Sequence, residues 1–299
     1  MNGTVFASEG GRYQVRLEDG ELLEASLRGR LKRQARTGDR VVIGDLVEVR
    51  TGVEGGVTIE EVLPRRSEVT RRGAGGRRPK VLAANVDMLL VVAAAARPDP
   101  RQVLLDRLLT VGEANGLDTV LVMNKMDLER EGPGVEPLLA LYRGIGYRVL
   151  ETSTATGQGL DELARVLASG ISALVGPSGV GKTSLLNGIQ PALGLRTGEL
   201  SHKQGRGRHT TVSARLIQLD CGGVVADTPG FSDVGLWAVD SVELEGCFPE
   251  FSQHRSDCRF RGCSHLHEPG CRVRDALEAG AIDPVRFESY RTLFLESEA

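Results

Sequence analysis

Residues 176–183 read Gly176-Pro177-Ser178-Gly179-Val180-Gly181-Lys182-Thr183, and this glycine-rich stretch indicates a nucleotide-binding α/β domain. It follows an apolar run, Ile171 to Val175, that is typical of a buried strand, and a helix is predicted to begin near Lys182. Between a strand and a helix, the backbone N–H groups of such a loop point at phosphate oxygens. We therefore predict that the loop and the adjacent Ser184 bind the phosphates of a nucleotide. Lys182 is expected to reach the β- and γ-phosphates, and the Thr183 hydroxyl is expected to bind Mg²⁺.

A second motif, Asn124-Lys125-Met126-Asp127, lies upstream of the loop and follows an apolar run at residues 119–123. A carboxylate such as that of Asp127 accepts hydrogen bonds from the N1–H and 2-amino groups of guanine, whereas adenine offers neither donor. A site built on such bonds rejects the wrong ligand by a factor on the order of 10⁴. The motif therefore predicts GTP binding by Asn124, Lys125 and Asp127.

A shorter stretch, Ser153-Thr154-Ala155, stands in the place of a supporting base-contact loop. Ser153 and Thr154 are therefore predicted to lie at the base. The alternative interpretation is an ordinary helix N-cap supplied by Thr156 or Asp161.

The order of the motifs is inverted, because ordinary GTP-binding domains place the base motif downstream of the phosphate loop. Here a third motif, Asp227-Thr228-Pro229-Gly230, follows the phosphate loop instead. Asp227 ends a predicted buried strand and is expected to hold Mg²⁺ through water, and Gly230 is expected to contact the nucleotide. The order predicts a circularly permuted P-loop GTPase domain.

The wider pattern divides the chain into three folded segments and predicts a multi-domain α/β protein. Short alternating stretches near residues 13–17, 41–49 and 57–59 predict a small β-barrel of the oligonucleotide-binding type over residues 1–70, with another small barrel as the alternative. Residues 71–84, rich in Gly and Arg, are predicted to be a linker. Apolar strands alternating with helices predict the three-layer GTPase domain over residues 85–236. Residues 237–299 are predicted to form a zinc-binding domain that ends in a short acidic helix.

The zinc prediction rests on the cluster Cys258-x₄-Cys263-x-His265-x₅-Cys271. Three thiolates and one imidazole fill a tetrahedral zinc shell, and a filled shell is structural. One structural Zn²⁺ per chain is therefore expected. Nearby alternatives are His254, His267 and Cys247. The five cysteines of the chain do not suggest a disulfide framework, because the sequence begins without an export signal.

Charge is unevenly distributed along the chain. The formal net charge is -3, yet residues 1–80 contain 16 Lys and Arg against 12 Asp and Glu, and the remainder contains 21 against 28. Basic clusters at positions 28–40 and 65–80 favour the phosphate backbone of nucleic acids, with a solvated charged face as the alternative. No run approaches the roughly 18 apolar residues of a membrane span. A cytoplasmic protein without a membrane partner is expected.

Together, the permuted motif order, the phosphate loop and the zinc spacing resemble the ribosome small-subunit-dependent GTPase A family. Its members are circularly permuted GTPases that assist maturation of the small ribosomal subunit. The resemblance spans nearly the whole chain and implies the same three segments in the same order. It implies a GTP hydrolase that acts on the small subunit and its rRNA. We expect a monomer that binds GTP and GDP, with hydrolysis stimulated by the subunit and driving release.

The segment Arg206-Gly207-Arg208-His209-Thr210-Thr211 resembles the first switch of that family. Thr210 is predicted to bind Mg²⁺, with Thr211 as the alternative. In the second switch, Phe231 stands where many GTPases carry the Gln that orients the attacking water. We therefore take His209 as a hypothetical catalytic residue beside Lys182 and Thr183, with contact to RNA or phosphate as its alternative role. Basic residues of the same segment are candidate rRNA contacts: Lys203, Arg206 and Arg208.

Two other functions fit parts of the pattern. One is a nucleotide-gated rRNA-binding checkpoint in which turnover is secondary. The other is an ATP-dependent small-molecule kinase built on a phosphate loop, which Asp127 argues against.

Overall fold

The computed structural model describes residues 1–31, 41–52, 56–71, 80–128, 134–195, 214–228, 231, 239 and 241–298. Within these ranges the strands form one eleven-stranded sheet and one two-stranded sheet. The same ranges contain no helix that is long and apolar enough to cross a membrane.

The amino-terminal segment is a closed five-stranded barrel, as predicted. Its strands are β1 (Asn2–Glu9), β2 (Arg12–Leu17), β3 (Leu22–Leu27), β4 (Leu46–Thr51) and β5 (Val57–Val62). They run in the order β1-β2-β3-β5-β4, and β4 pairs with β1 to close the barrel. Alternating side chains such as Val5, Val15 and Ile59 fill its interior. Residues 41–43 are not the strand that we expected, because Ile43 makes only an isolated bridge to Ala83.

The stretch predicted to be a linker is partly a strand. Strands β6 (Glu68–Arg71) and β7 (Lys80–Ala84) pair antiparallel, and residues 72–79 between them lie outside the described residues. The physical reason is burial: Ala83 and Ala84 are completely buried, and the Ala84 N–H donates to the Ile43 carbonyl at 2.9 Å. The barrel is thus packed onto the next domain rather than joined to it by a flexible segment that extends to residue 84.

The α/β segment contains the repeating units that the apolar runs predicted. Its strands are β8 (Met88–Ala94), β9 (Asp118–Asn124), β10 (Arg148–Glu151), β11 (Ile171–Val175), β12 (Ala214–Gln218) and β13 (Val224–Asp227). Its helices are α1 (Gln102–Ala114), α2 (Glu136–Ile145), α3 (Leu160–Val166) and α4 (Lys182–Ile189). The order β10-β9-β8-β11-β13 is parallel throughout, and β12 is antiparallel to β13.

Helices cover both faces of this sheet, which confirms three layers. In β8, Leu89 and Val91 face the cluster formed with α1 and α2, whereas Leu90 and Val92 face the cluster formed with α3 and α4. We did not predict α2, although Pro137 in its first turn and the left-handed Gly146 at its end are usual boundary signals.

The barrel and the α/β domain share one continuous sheet. Strand β1 pairs antiparallel with β12 through Ala7 with Arg215 and Ser8 with Ala214, and the same strand pairs with β2 and β4 within the barrel. The barrel is therefore joined to the strand that precedes β13 and Asp227.

The carboxyl-terminal segment is a small helical domain around its own apolar cluster. It contains α5 (Ser241–Leu244), the turns Glu245–Cys247 and Pro249–Phe251, α6 (Ser252–Arg255), α7 (Arg272–Glu278) and α8 (Pro284–Glu298). Phe248, Phe251 and Tyr290 form the centre of its core. Helix α8 has 15 residues, so the expectation of a short acidic helix was wrong.

A buried ionic network anchors α8 to the GTPase domain. The completely buried Arg286 donates from Nη1 to Asp106 Oδ1 of α1 at 2.7 Å and from Nε to Glu250 Oε1 at 2.6 Å. The Tyr142 hydroxyl of α2 donates to the same Asp106 oxygen at 2.6 Å. Two carboxylates from distant segments therefore neutralise the guanidinium, which explains how an arginine is accommodated inside the interface.

Candidate nucleotide site and metal centre

The phosphate loop lies between β11 and α4, and two of its glycines are required by close contacts. Gly176 has φ +148°, and a Cβ there would lie 2.2 Å from the Val92 carbonyl oxygen of β8. Gly181, directly before α4, has φ +101°, and a Cβ there would lie 2.3 Å from Asn124 Nδ2. Any side chain at either position would displace the loop from the neighbouring strands.

Lys182 is buried at the start of α4 and points back along the loop. Its Nζ donates to the carbonyl oxygens of Gly176 at 2.6 Å and Pro177 at 3.0 Å. Burial lowers the pKa of Lys182 to about 8. Carbonyl dipoles alone therefore leave this cation incompletely compensated, and a phosphate anion would supply the missing charge. The neighbouring Thr183 is also buried.

The base motif holds the phosphate loop directly. The completely buried Asn124 donates from Nδ2 to the Val180 carbonyl at 2.9 Å. Lys125 Nζ donates to the Gly179 carbonyl at 2.6 Å and also to the Arg97 carbonyl. The structure thus brings together two motifs that are 49 residues or more apart, which is the central juxtaposition that the inverted order predicts.

Asp127 and Ser153 form the outer part of the same site. The Ser153 hydroxyl donates to Asp127 Oδ1, while Asp127 itself is exposed. The loop after β10 is tied to the base motif by the Met126 N–H, which donates to the Thr152 carbonyl at 3.1 Å. The Thr152 hydroxyl also donates to Asn124 Oδ1 at 3.2 Å. Ser153 therefore orients the carboxylate and leaves it open to a ligand.

The alternative interpretation of this loop as a helix cap is not what the structure shows. The residue before α3 is Gly159, in a left-handed conformation, and no side chain makes a capping hydrogen bond there. Thr156 instead donates its N–H to Ser153 Oγ at 3.2 Å. Thr154 is partly buried beside α4, where its methyl group lies near Gly188.

Asp227 lies at the end of β13 and is paired with Arg215 of β12. The Arg215 Nε donates to Asp227 Oδ2 at 3.2 Å. This ion pair was not predicted, because the two strands supply the partners only once they are paired side by side. It orients the carboxylate at the edge of the sheet where β11 leads into the phosphate loop.

The switch segments lie largely outside the part of the chain that the structure describes. This holds for Pro229, Gly230 and the whole stretch 196–213, which includes Lys203, Arg206, Arg208, His209, Thr210 and Thr211. Phe231 is described and is 2% exposed, packed in the apolar cluster on the α1 side of the sheet. Its ring therefore serves the core and does not replace the water-orienting Gln.

The metal-ligand atoms of Cys258, Cys263, His265 and Cys271 all lie within 4.8 Å of one another. His265 Nδ1 lies 3.7 Å from Cys258 Sγ and 3.3 Å from Cys271 Sγ. An ion with ordinary zinc bond lengths and tetrahedral angles would separate sulfur from nitrogen by about 3.6 Å. The four residues therefore fit zinc, and none of the three alternative ligands belongs to this group of converging atoms within the described ranges.

Backbone and side-chain groups surround the ligand set. The Arg272 and Arg274 N–H groups point at Cys258 Sγ and Cys271 Sγ, at 3.4 and 3.5 Å. Burial raises the pKa of Cys263 to about 12 in the metal-free cluster, so binding a divalent cation there would release protons. Glu245, which the sequence did not single out, accepts a hydrogen bond from His265 Nε2 at 2.9 Å.

Comparisons with known proteins agree with the permuted geometry. The model of a family described as RsgA GTPase matches residues 62–237. The small ribosomal subunit biogenesis GTPase RsgA of Gemmatimonas aurantiaca is 46% identical over 292 residues, covering 96% of this chain and 94% of that protein. The protein of the same name from Moorella thermoacetica is 46% identical over 296 residues, covering 99% of this chain and 97% of that protein.

Two solved structures extend the similarity to three dimensions. YjeQ from Thermotoga maritima has a TM-score of 0.80 and 35% identity, covering 100% of this chain and 98% of that one. YloQ, described as a circularly permuted GTPase, has a TM-score of 0.75 and 30% identity, covering 99% of this chain and 94% of that one. The likeness therefore includes the barrel, the α/β domain and the carboxyl-terminal segment.

Proposed function

Because this chain belongs to the RsgA GTPase family, we propose that it binds the small ribosomal subunit in its GTP-bound state and leaves after hydrolysis. The chain is a circularly permuted GTP hydrolase of small-subunit biogenesis. We further propose that the subunit stimulates hydrolysis and that hydrolysis causes release.

The proposed GTP site is the cleft between the phosphate loop and the base motif. The observation that carries it is the hydrogen bond from Asn124 Nδ2 to the Val180 carbonyl, because it fixes the base-recognition strand against the loop. The Asp127 carboxylate then accepts hydrogen bonds from the guanine edge, while the Ser153 hydroxyl orients that carboxylate. The proposed nucleotide contacts are Asn124, Lys125, Asp127, Ser153, Thr154, residues 176–184, Asp227 and Gly230.

Mg²⁺ is proposed to bind the Thr183 hydroxyl, with Asp227 acting through water and Thr210 completing the site. The hydrogen bond from Arg215 holds the Asp227 carboxylate in place at the end of β13. The ion would neutralise charge that develops on the phosphates during transfer.

His209 remains our hypothesis for the residue that positions the attacking water. Phe231 is buried, which supports placing the residue that positions the attacking water outside the second switch. Full subunit-stimulated GTP turnover by His209→Ala would remove this assignment.

We assign one structural Zn²⁺ to Cys258, Cys263, His265 and Cys271. Four protein ligands leave no open position for substrate, so the ion would supply folding energy to the carboxyl-terminal segment. The segment packs on α1 through Arg286, so its folding also supports the GTPase domain.

rRNA contact is proposed for the barrel. Arg28, Arg30 and Arg50 are exposed there. They line a cavity of about 480 Å³ together with Glu48, Glu60 and Glu61. These cations would bind phosphate with the salt dependence of counterion release. A monomer with this surface free is proposed as the binding form.

The test is GTP turnover with and without purified small subunits. We expect the subunit to accelerate turnover, and equal rates would refute the stimulation. A hydrolysis-blocked protein that leaves subunits at the normal rate would instead favour the nucleotide-gated checkpoint.

Base recognition is tested separately by Asp127→Asn. This variant should lose affinity for GTP and gain affinity for xanthosine triphosphate, whose base offers the complementary donor and acceptor pattern. Asp161→Asn is the matched control, because Asp161 is an exposed carboxylate at the start of α3. Unchanged GTP preference in Asp127→Asn would remove Asp127 from the site.

A further inference from the structure

We propose that Glu245 is a positioning residue of the metal centre and that it makes Nδ1 of His265 the zinc ligand. This inference rests on the zinc assignment above and is independent of GTP hydrolysis. Glu245 lies in the turn after α5, outside the segment that supplies the four ligands.

The two nitrogens of His265 face different partners. Nε2 lies 2.9 Å from Glu245 Oε2, whereas Nδ1 faces Cys271 Sγ at 3.3 Å and Cys258 Sγ at 3.7 Å. An ionised carboxylate only accepts hydrogen bonds, so Nε2 must carry the proton. The lone pair of a neutral imidazole is then on Nδ1, on the side of the sulfur atoms.

Packing holds the imidazole in this orientation. His265 is completely buried, with the Phe251 ring edge-on at a centroid distance of 5.8 Å and the Tyr290 ring at 6.1 Å. Its backbone has φ +61°, an uncommon conformation for a residue other than glycine. A flipped ring would place the Cε1–H group against Glu245 and the Cδ2–H group against the sulfur atoms, so both polar contacts would be lost and the flipped state is disfavoured.

Glu245 also lies beside a basic side chain. Arg255 Nη1 lies 3.8 Å from its other carboxylate oxygen, Oε1. The side chain of Glu245 is 32% exposed, so it closes one side of the buried histidine while it remains in contact with solvent. A carboxylate on the far nitrogen of a metal-binding histidine fixes its tautomer and its ring orientation.

The test compares zinc affinity of full-length variants by competition with a chromophoric chelator. Removing such an outer partner costs about 10- to 100-fold in metal affinity, so Glu245→Ala should weaken zinc binding by that factor. Glu245→Gln should retain most of the affinity, because its amide oxygen accepts the same hydrogen bond. Glu243→Ala is the matched control, since Glu243 is an exposed carboxylate on α5.

Zinc affinity of Glu245→Ala equal to that of Glu243→Ala would overturn the proposal. A second measurement on the wild-type chain does not depend on how the variant folds. Nitrogen-15 chemical shifts of His265 in the zinc-loaded protein should show a metal on Nδ1 and a proton on Nε2. Coordination through Nε2 would overturn the proposal as well. A wild-type chain that takes up no zinc would overturn it together with the zinc assignment, while GTP turnover reports separately on the proposed function.

Discussion

Replacing Arg286 with Met tests the ionic network that joins the carboxyl-terminal segment to α1. The guanidinium contacts Asp106 and Glu250 through three hydrogen bonds between 2.6 and 3.2 Å, and it lies over the Phe248 ring at 4.3 Å. Met is apolar and of similar length, so the change removes the charge with little change in volume.

The expected loss is about 3–5 kcal/mol of unfolding free energy, because removing one partner of a buried pair leaves the other charge uncompensated. Here Asp106 is completely buried and Glu250 is largely buried. An exposed pair is worth about 0–1 kcal/mol by comparison. Arg291→Met provides that comparison, because Arg291 lies on the same helix and pairs with Glu288 at the surface.

The loss should also depend on pH. Burial raises the pKa of Asp106, and the attraction of Arg286 opposes that rise. Without Arg286 the folded-state pKa of Asp106 rises further above its unfolded value. Stability linked to a raised carboxyl pKa is present at low pH and is lost as pH rises through the folded pKa. The deficit of Arg286→Met relative to wild type should therefore shrink between pH 7 and pH 5, by at most about 1.4 kcal/mol per pH unit for each extra proton bound.

Urea unfolding followed by circular dichroism, with zinc present throughout, measures both effects. A deficit no larger than that of Arg291→Met would refute the proposed contribution of the network. A large deficit of equal size at pH 5 and pH 7 would refute the electrostatic explanation and favour loss of packing.

Three further predictions concern the nucleotide site. Gly181→Ala should lower GTP affinity more than tenfold in a fluorescent-nucleotide titration, because the new Cβ would lie 2.3 Å from Asn124 Nδ2 and the backbone φ is +101°. Gly194→Ala is the control and should retain GTP affinity, because the space around Gly194 is open. Ser153→Ala should cost about 1 kcal/mol, or roughly fivefold in GTP affinity, through loss of the hydrogen bond to Asp127, and unchanged affinity would exclude this orienting role. GTP affinity measured by calorimetry should fall as pH rises through about 8, because burial lowers the pKa of Lys182 to about 8 and only its protonated form pairs with phosphate. If the same dependence of affinity on pH persists in Lys182→Met, the titrating group is another residue.

The parts of the fold that could be predicted are those in which neighbouring residues carry the signal. Residues 89–94 are apolar without interruption because β8 is buried on both faces, and the phosphate loop carries its own glycines at the positions where φ is positive. The upstream position of Asn124 and Asp127 then indicated the permutation, and the family comparisons agree with it.

The parts that escaped prediction depend on contacts between distant residues. Arg286 and Asp106 are 180 positions apart, so an arginine in α8 looks like part of a solvated helix until two carboxylates are placed beside it. Glu245 and Arg215 are similar cases, because each acquires its role from a partner on another element. The periodicity of apolar residues along the sequence does not predict such pairs.

The double role of β1 has a practical consequence for anyone who wishes to cut this protein into pieces. Its eight residues close the barrel by pairing with β4 and, through Ala7 and Ser8, continue the neighbouring sheet at Arg215 and Ala214. Deleting them would leave unpaired backbone N–H and C=O groups on the edges of both the barrel and the α/β sheet. Exposed strand edges of this kind pair with other chains and cause aggregation. A fragment meant to isolate GTP hydrolysis should therefore keep this strand, and a fusion tag at the amino terminus should be separated from it by a spacer.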